Sequence, residues 1–385
     1  MLIPAFPPLR FGGLAHGEEA GTVAALPPGS VLFRRARHAL YHGVRALVRT
    51  RPLRRIWLPA YLVHCVEEAV TAAGLESCWY DIDPALEPRQ PSRLPLRAGD
   101  AFLVVHYFGL AQPVEALLAH CAAHEVPLLE DCAHAVRDPD SPVLVGSYGA
   151  IGVFSPRKQA PVPGGGVLAL NEPACRAACG DPGLAAADHR TLGKLALMGT
   201  ERLAAACRWN ILRLKDRLPV LDAYGAPAEG TRGPHSGPDE YGDAGAPSRL
   251  VSALLRRIDW TAQRAARKEG YARLVERLDL VRGVHVPVPV PRPGSVPLSV
   301  PIWVRDPETV ARVLRRCGIE AMRWPGTEQR PFDAACYPGA AAWRDRTVCL
   351  PLGIPLSAEL VRHVVGAVQR AVAASRHQPG VPVAS

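Results

Sequence analysis

Asp100-Ala-Phe-Leu-Val-Val-His-Tyr-Phe-Gly109 opens a unit that closes on Val126-Pro-Leu-Leu-Glu-Asp131, with a helical pattern from Pro113 to His124 between the two runs. Both runs are short and carry an uninterrupted apolar stretch, Ala101–Val105 in the first and Val126–Leu129 in the second. That is the signature of strands buried on both sides. Strand, helix and strand at this spacing predict a parallel pair joined by a crossover. The unit also occurs earlier: Arg55-Ile-Trp-Leu-Pro59, a helix from Glu67 to Ala73 closed by Gly74, then Ser77-Cys-Trp-Tyr-Asp-Ile-Asp83. Further strands are expected from Ala150 to Phe154 and from Gly166 to Asn171. In open parallel sheets ligands gather beyond the C-terminal strand ends. That rule places His106, Tyr107, Glu130, Asp131, His134, Ser155 and Lys158 along one rim.

Outward from this block, Ser30 to Val48 has helical periodicity with Ser30 as N-cap, and Arg34, Arg35 and Arg37 fall in the first turns, where an anion would sit well. Glu172 to Asp216 reads as helical, and Ala226 to Asp239 as a turn-rich exposed loop. One long amphipathic helix is expected from Arg249 to Leu278. The last hundred residues alternate short elements: strand Val300–Val304, a helix Thr309 to Cys317 capped by Gly318, strand Ile319–Trp324 and a final helix Ser357 to Ala374. The fold class expected is α/β, with a large domain of mostly parallel sheet flanked by helices over residues 1–248. Residues 249–385 would supply a linking helix and a smaller C-terminal α/β domain.

Composition narrows the function classes. The 385 residues are 48% hydrophobic and carry a formal charge of +9, yet no dense Lys/Arg run with interleaved aromatics appears, which argues against nucleic acid. No run is long and apolar enough to span a bilayer, and the proline-rich start does not read as a secretory signal. Ten cysteines in a chain of this length suit reduced thiols in a cytoplasmic protein. Cys175 and Cys179 have no second pair at zinc-ligand spacing, so no metal is expected.

The chain holds four lysines, Lys158, Lys194, Lys215 and Lys268. Arginine stays protonated, whereas a lysine amine loses its proton in suitable surroundings and attacks a carbonyl. Lys158 stands between the strand ending at Phe154 and the turn Gly164-Gly-Gly166. About 27 residues earlier, Glu130-Asp-Cys-Ala-His134 puts a carboxylate at the end of a buried strand, where it needs a cation or strong donor. A lysine for the aldehyde and an aspartate for the ring nitrogen are the minimum protein equipment for pyridoxal 5′-phosphate (PLP) chemistry.

These motifs together resemble the DegT/DnrJ/StrS nucleotide-sugar aminotransferases, which have the fold-type I architecture of aspartate aminotransferase. The resemblance runs from about Leu32 to Ala374 through Leu58-Pro-Ala-Tyr61, Tyr80-Asp-Ile-Asp83, Val105-His-Tyr-Phe-Gly109, Leu129-Glu-Asp-Cys-Ala-His134, Gly149-Ala-Ile-Gly-Val-Phe-Ser155, Lys158, Gly164-Gly-Gly166 and Cys349-Leu-Pro-Leu352. It implies that Lys158 holds the cofactor covalently, that Asp131 partners the pyridine nitrogen, and that His134 lies near the ring oxygen. Ser155 and the helix start Ala36-Arg37 would face the phosphate, and Tyr61 or His64 would stack on the ring. It further implies an amino donor such as glutamate or glutamine, a keto-sugar acceptor, saccharide biosynthesis and a homodimer.

Three features depart from the family pattern. Ala36-Arg37 replaces the usual Gly-Thr, only two residues separate Ser155 from Lys158, and Pro247-Ser-Arg249 stands where an Asn-Tyr-Arg motif normally reaches across the dimer. A PLP-dependent sugar dehydratase or lyase is the enzymatic alternative, and Lys158 argues against it, since those dehydratases carry histidine there. The other alternative is a non-catalytic descendant that binds a sugar nucleotide or a partner.

Overall fold

The computed structural model describes residues 2–4, 26–187, 189–206, 241, 245–326 and 330–376. Seven strands form the main sheet: β1 (Val31–Phe33), β2 (Arg55–Pro59), β3 (Glu76–Tyr80), β4 (Asp100–Val105), β5 (Leu128–Cys132), β6 (Ile151–Phe154) and β7 (Gly166–Leu170), in the order β1-β7-β6-β5-β4-β2-β3. Pairs among β2 to β6 are all parallel, and β7 is antiparallel to both β6 and β1. The crossover logic read from residues 100–131 therefore describes the centre of the sheet. Every residue of β4 and β5 is buried, as the two-sided apolar runs require.

The helices in chain order are α1 (Ala36–Thr50), α2 (His64–Ala72), α3 (Val114–Ala123), the single turn α4 (Pro156–Gln159), α5 (Pro173–Ala178), α6 (His189–Ala206), α7 (Arg249–Leu255), α8 (Trp260–Leu278), α9 (Pro307–Arg316), α10 (Pro338–Arg346) and α11 (Ala358–Arg376). A second sheet pairs β8 (Ser299–Trp303) with β9 (Thr347–Pro351) antiparallel. Ile3, far from it in sequence, joins this region: its N–H donates to the Gly318 carbonyl at 2.8 Å, and its own carbonyl accepts from Glu320 N–H at 2.9 Å. Among the described residues no helix is long and apolar enough to cross a membrane.

Four expected elements differ. The helical reading from Glu172 is broken between α5 and α6, where residues 179–187 are not helical and Ala185 instead bridges Ser248. Ser30 does not cap a helix, because Val31-Leu-Phe33 pairs with Leu168, Val167 and Gly166 as an edge strand. The Ser30 hydroxyl instead donates to the Pro27 carbonyl at 2.6 Å. Arg249–Leu278 is two helices, since Asp259 caps the second by accepting from Ala262 N–H at 2.9 Å. Ile319–Trp324 is not a strand and contributes two isolated bridges, Ile319 to Ile3 and Met322 to Cys349. The loop expected at Ala226–Asp239, and the end of the helical reading from Cys207 to Asp216, lie outside the described residues.

Helix α1 runs beneath the sheet and buries His38 edge-on to Tyr241, with ring centroids 5.7 Å apart. Burial, reinforced by the charges of Arg37, Arg35, Arg34 and His42, lowers the His38 pKa to about 3. The unfolded chain titrates this group near 6.5, so between pH ~6.5 and ~3 only the unfolded state takes up the proton. Stability is expected to fall on acidification through that window by up to about 1.4 kcal/mol per pH unit. Urea unfolding from pH 7.5 to 5 checks this: His38→Gln should flatten the slope, and an unchanged slope would refute the assignment.

Candidate active site

Alternation along β5 sends its two carboxylates to opposite faces. Glu130 turns away from the rim and becomes an anchor. One of its oxygens accepts from Gly146 N–H at 2.8 Å and His106 Nε2 at 3.0 Å, and the other from the N–H groups of Tyr148 at 2.7 Å and Gly149 at 2.8 Å. Burial alone would raise this carboxyl, but the His106 bond and the amides of Gly149 and Gly146 hold it below its ordinary value. His106 Nδ1 accepts from Gln112 N–H at 3.1 Å, so Nε2 carries the proton given to Glu130. Ligand atoms of His106, Glu130 and Cys132 lie within 4.8 Å of one another. Even so, the four donors on Glu130 make it a clamp for the 146–149 turn, with charged hydrogen bonds worth on the order of 2 kcal/mol each.

Asp131 sits in the middle of the sheet, in register with Val105 of β4 and Val153 of β6. Its Oδ1 accepts from Ala133 N–H at 2.8 Å. Burial raises its pKa, opposed first by that amide and then by the positive charge of Lys158. Lys158, half-buried on α4, donates its backbone N–H to the Ser155 carbonyl at 3.0 Å. The same Lys158 charge reaches His134, whose pKa lies well below its ordinary value through burial first, then Lys158 and Arg157. His134 is therefore neutral. Its Nδ1 accepts from Phe108 N–H at 3.1 Å, which leaves the proton on Nε2. Lys158, Asp131 and His134 thus share one electrostatic neighbourhood at the C-terminal strand ends.

The remaining expected residues take distinct places. Ser155 is buried at the head of α4. Ala36 and Arg37 open α1 immediately after β1, and Gly166 backs onto this start. A Cβ on Gly166 would lie 2.2 Å from the Arg35 carbonyl carbon and oxygen, so only glycine permits the approach. Gly165 N–H donates to the Arg34 carbonyl at 3.0 Å. The glycine turn therefore joins the lysine loop to the α1 start. Tyr61 is fully buried, with its hydroxyl given to the Trp324 carbonyl and its ring against Tyr107, Trp324 and Trp343. His64 heads α2, with its nitrogens 3.3 and 3.5 Å from Glu67 and Glu68. Ser248 of Pro247-Ser-Arg249 caps α7 by accepting from Leu250 N–H.

Two groups in this neighbourhood escaped the sequence reading. The half-buried Trp324 meets His134 edge-on at 5.0 Å and Phe108 at 5.7 Å, and the Phe108 and His134 rings lie parallel at 6.0 Å. Gln159 and Arg267 lie beneath the lysine turn. Arg267 had a readable signal: Trp260, Arg264, Arg267, Tyr271, Leu274 and Leu278 recur at helical spacing and are all buried. Trp324 had none, because its approach depends on the path of the C-terminal region.

Residues 38–199 match the model of the DegT/DnrJ/EryC1/StrS aminotransferase family. Over these residues the chain is similar to that family. Curated relatives align over shorter spans. The chain is 37% identical over 97 residues to L-glutamine:2-deoxy-scyllo-inosose aminotransferase of Micromonospora echinospora, covering 23% of each protein. It is 38% identical over 78 residues to L-glutamine:scyllo-inosose aminotransferase of Streptomyces griseus, covering 20% of this chain and 18% of that protein. The matched spans are thus about a quarter or less of these relatives.

Solved structures align over nearly the whole chain. The aminotransferase TlmJ of Streptoalloteichus hindustanus has a TM-score of 0.64 at 21% identity, covering 97% of this chain and 100% of that one. The sugar aminotransferase CalS13 of Micromonospora echinospora has a TM-score of 0.63 at 18% identity, covering 96% and 100%. NtdA of Bacillus subtilis, solved with bound PMP, has a TM-score of 0.60 at 15% identity, covering 89% and 73%. At these identities the likeness establishes the fold, that of the fold-type I PLP aminotransferases, and the family match ties it to residues 38–199.

Proposed function

We propose that the chain is a PLP-dependent aminotransferase that moves an amino group from glutamate or glutamine to the ketone of a sugar. The observation that carries this reading is the grouping of Lys158, Asp131 and the neutral His134 at one set of strand ends. The residues present fit the cofactor. A buried carboxylate with one oxygen bonded to Ala133 N–H suits a protonated ring nitrogen, and the apolar rings of Phe108 and Trp324 flank His134.

When bound, PLP supplies the electron sink that stabilises the carbon from which the α-proton is lost. Lys158 would hold the cofactor's aldehyde and, once released by the incoming amine, shuttle the proton as a base. Asp131 would keep the proton on the ring nitrogen. His134 would offer its Nε2–H to the ring oxygen. The α1 start at Ala36 and Arg37, with Ser155, would face the phosphate, Arg37 supplying charge there.

A nucleotide-linked acceptor is supported by the net charge of +9 and by Arg34, Arg35 and Arg37 about the α1 start, since arginine suits diphosphates. The curated relatives' names, which specify inososes, favour a second reading in which the ketone belongs to a free cyclitol. We place the enzyme in the cytoplasm as a homodimer serving saccharide biosynthesis. The test is incubation with PLP, glutamine or glutamate, and a panel of keto-sugar nucleotides and inososes, following amine formation by mass. Amine from a sugar nucleotide supports the first reading and amine from an inosose the second. No product together with no retained PLP would overturn both in favour of a binding role.

A further inference from the structure

The lysine turn rests on a buried cation. Arg267 of α8 is only 2% exposed, and its hydrogen-bond acceptors are all backbone carbonyls. It donates to Gln159 at 3.2 Å, Leu298 at 3.1 Å and Pro297 at 3.4 Å. Gln159, directly after Lys158 and 1% exposed, turns its carboxamide the other way. Its Nε2 donates to the His134 carbonyl and, at 3.2 Å, to the Val296 carbonyl. The 296–298 segment is in turn held against Phe108-Gly109, with Leu298 N–H donating to Phe108 at 2.6 Å and Val296 N–H to Gly109 at 3.0 Å. Gly109 permits this contact, since a Cβ there would lie 2.2 Å from the Val296 carbonyl oxygen. Phe108 N–H, already noted, fixes His134 Nδ1. A closed ring of contacts therefore runs Arg267, Gln159, His134, Phe108, Leu298 and back to Arg267.

Burying a guanidinium without a carboxylate carries a desolvation cost of several kcal/mol. Burial lowers the Arg267 pKa to about 9, so the group still carries its charge at neutral pH. The buried acid paired with α8, Asp138 of the segment after β5, is engaged by Lys268 and by Arg264. An apolar side chain would fill the Arg267 position at less cost, and it would leave the three carbonyls without a donor.

Resting on the aminotransferase reading above, we propose that Arg267 and Gln159 are positioning residues: together they fix the backbone of the lysine turn against His134, so that Lys158 presents its amine in one direction at the Asp131 end of the rim. Neither touches the reacting atoms. Lys158 acts in charge on Asp131 and on His134, Arg157 stands beside it on its own turn, and Arg267 bonds the Gln159 carbonyl directly after it. Removing Arg267 takes away one cation, which favours the protonated amine. Gln159→Leu leaves that charge in place and removes only the tie to His134.

The experiment compares wild type with Gln159→Leu, Arg267→Met and Arg267→Lys, all confirmed folded by thermal unfolding. In cofactor-free protein, hydrogen exchange at the Lys158 and Ala160 amides should rise about tenfold or more in Gln159→Leu and Arg267→Met, reflecting local opening. With PLP added, borohydride-trapped label on Lys158 should form more slowly in both. The pH midpoint of labelling should move up by about half a unit or more in Arg267→Met only, and Arg267→Lys should restore it. Folded variants with unchanged exchange and unchanged midpoint would overturn the proposal. If Arg267→Met does not fold, Gln159→Leu alone decides by exchange and labelling rate. If wild-type Lys158 takes no label, the aminotransferase reading fails, while the exchange measurement still decides whether the brace exists.

Discussion

Replacing Lys158 by alanine is expected to lower amine transfer by at least about 10³-fold, since general acid–base catalysis alone is worth roughly 10²–10⁴ and the covalent hold on the cofactor is lost as well. The side chain is half-buried on a one-turn helix held by its own backbone bonds, so the fold should survive the truncation. Thermal unfolding within a few degrees of wild type would show that it does. Treatment with PLP and borohydride, followed by peptide mapping, is the decisive readout. Wild type should carry the label on Lys158, and the variant should carry none. Label on Lys194, Lys215 or Lys268 in wild type would sink the assignment, whatever the activity.

Asp131→Asn should separate holding the cofactor from using it. The asparagine keeps an oxygen for the Ala133 amide and nearly the same volume, so the strand end should stay in place. It cannot keep a proton on the ring nitrogen as a carboxylate does. Losing one charged hydrogen bond in a buried site costs about 3–4 kcal/mol, which corresponds to a turnover loss of about 10²–10³-fold. Labelling of Lys158 should persist. Turnover within threefold of wild type would remove Asp131 from this role, and loss of labelling would mean that Asp131 acts on Lys158 rather than on the ring.

The sheet was legible because β4 after Asp100, and the approach to Glu130 in β5, are short buried apolar runs, a pattern that local sequence carries in full. Lys158, Asp131 and His134 were legible because strand ends in a parallel sheet share a rim. The division of labour within Glu130-Asp131 was not. Two adjacent carboxylates look alike in sequence, and only the 146–149 turn, folding back onto the strand, assigns one of them as an anchor. The Ser30 reading failed because a helical period and a three-residue edge strand overlap in Val31-Leu-Phe33, and the competing partner lies far away at Gly166–Leu168. Helix α8 kept its period, yet the Asp259 cap divided it from α7. Trp324 was invisible for the same reason as the edge strand: its neighbours come from distant segments.

The antiparallel return of β7 has a kinetic consequence. Phe154 pairs with Val167 across the lysine loop, whereas Phe33 reaches Gly166 only across most of the large sheet's sequence. Closing a longer loop costs more conformational entropy before any contact rewards it, and contacts of high order slow folding. The lysine side of the rim is expected to assemble first, from β4 to β7, as a block of short-range pairings. The α1 start, with Arg37, docks later, when the edge strand finds β7. The strands that carry the lysine turn thus pair through nearby sequence, whereas the brace from Arg267 and the expected phosphate side both wait for distant segments to dock.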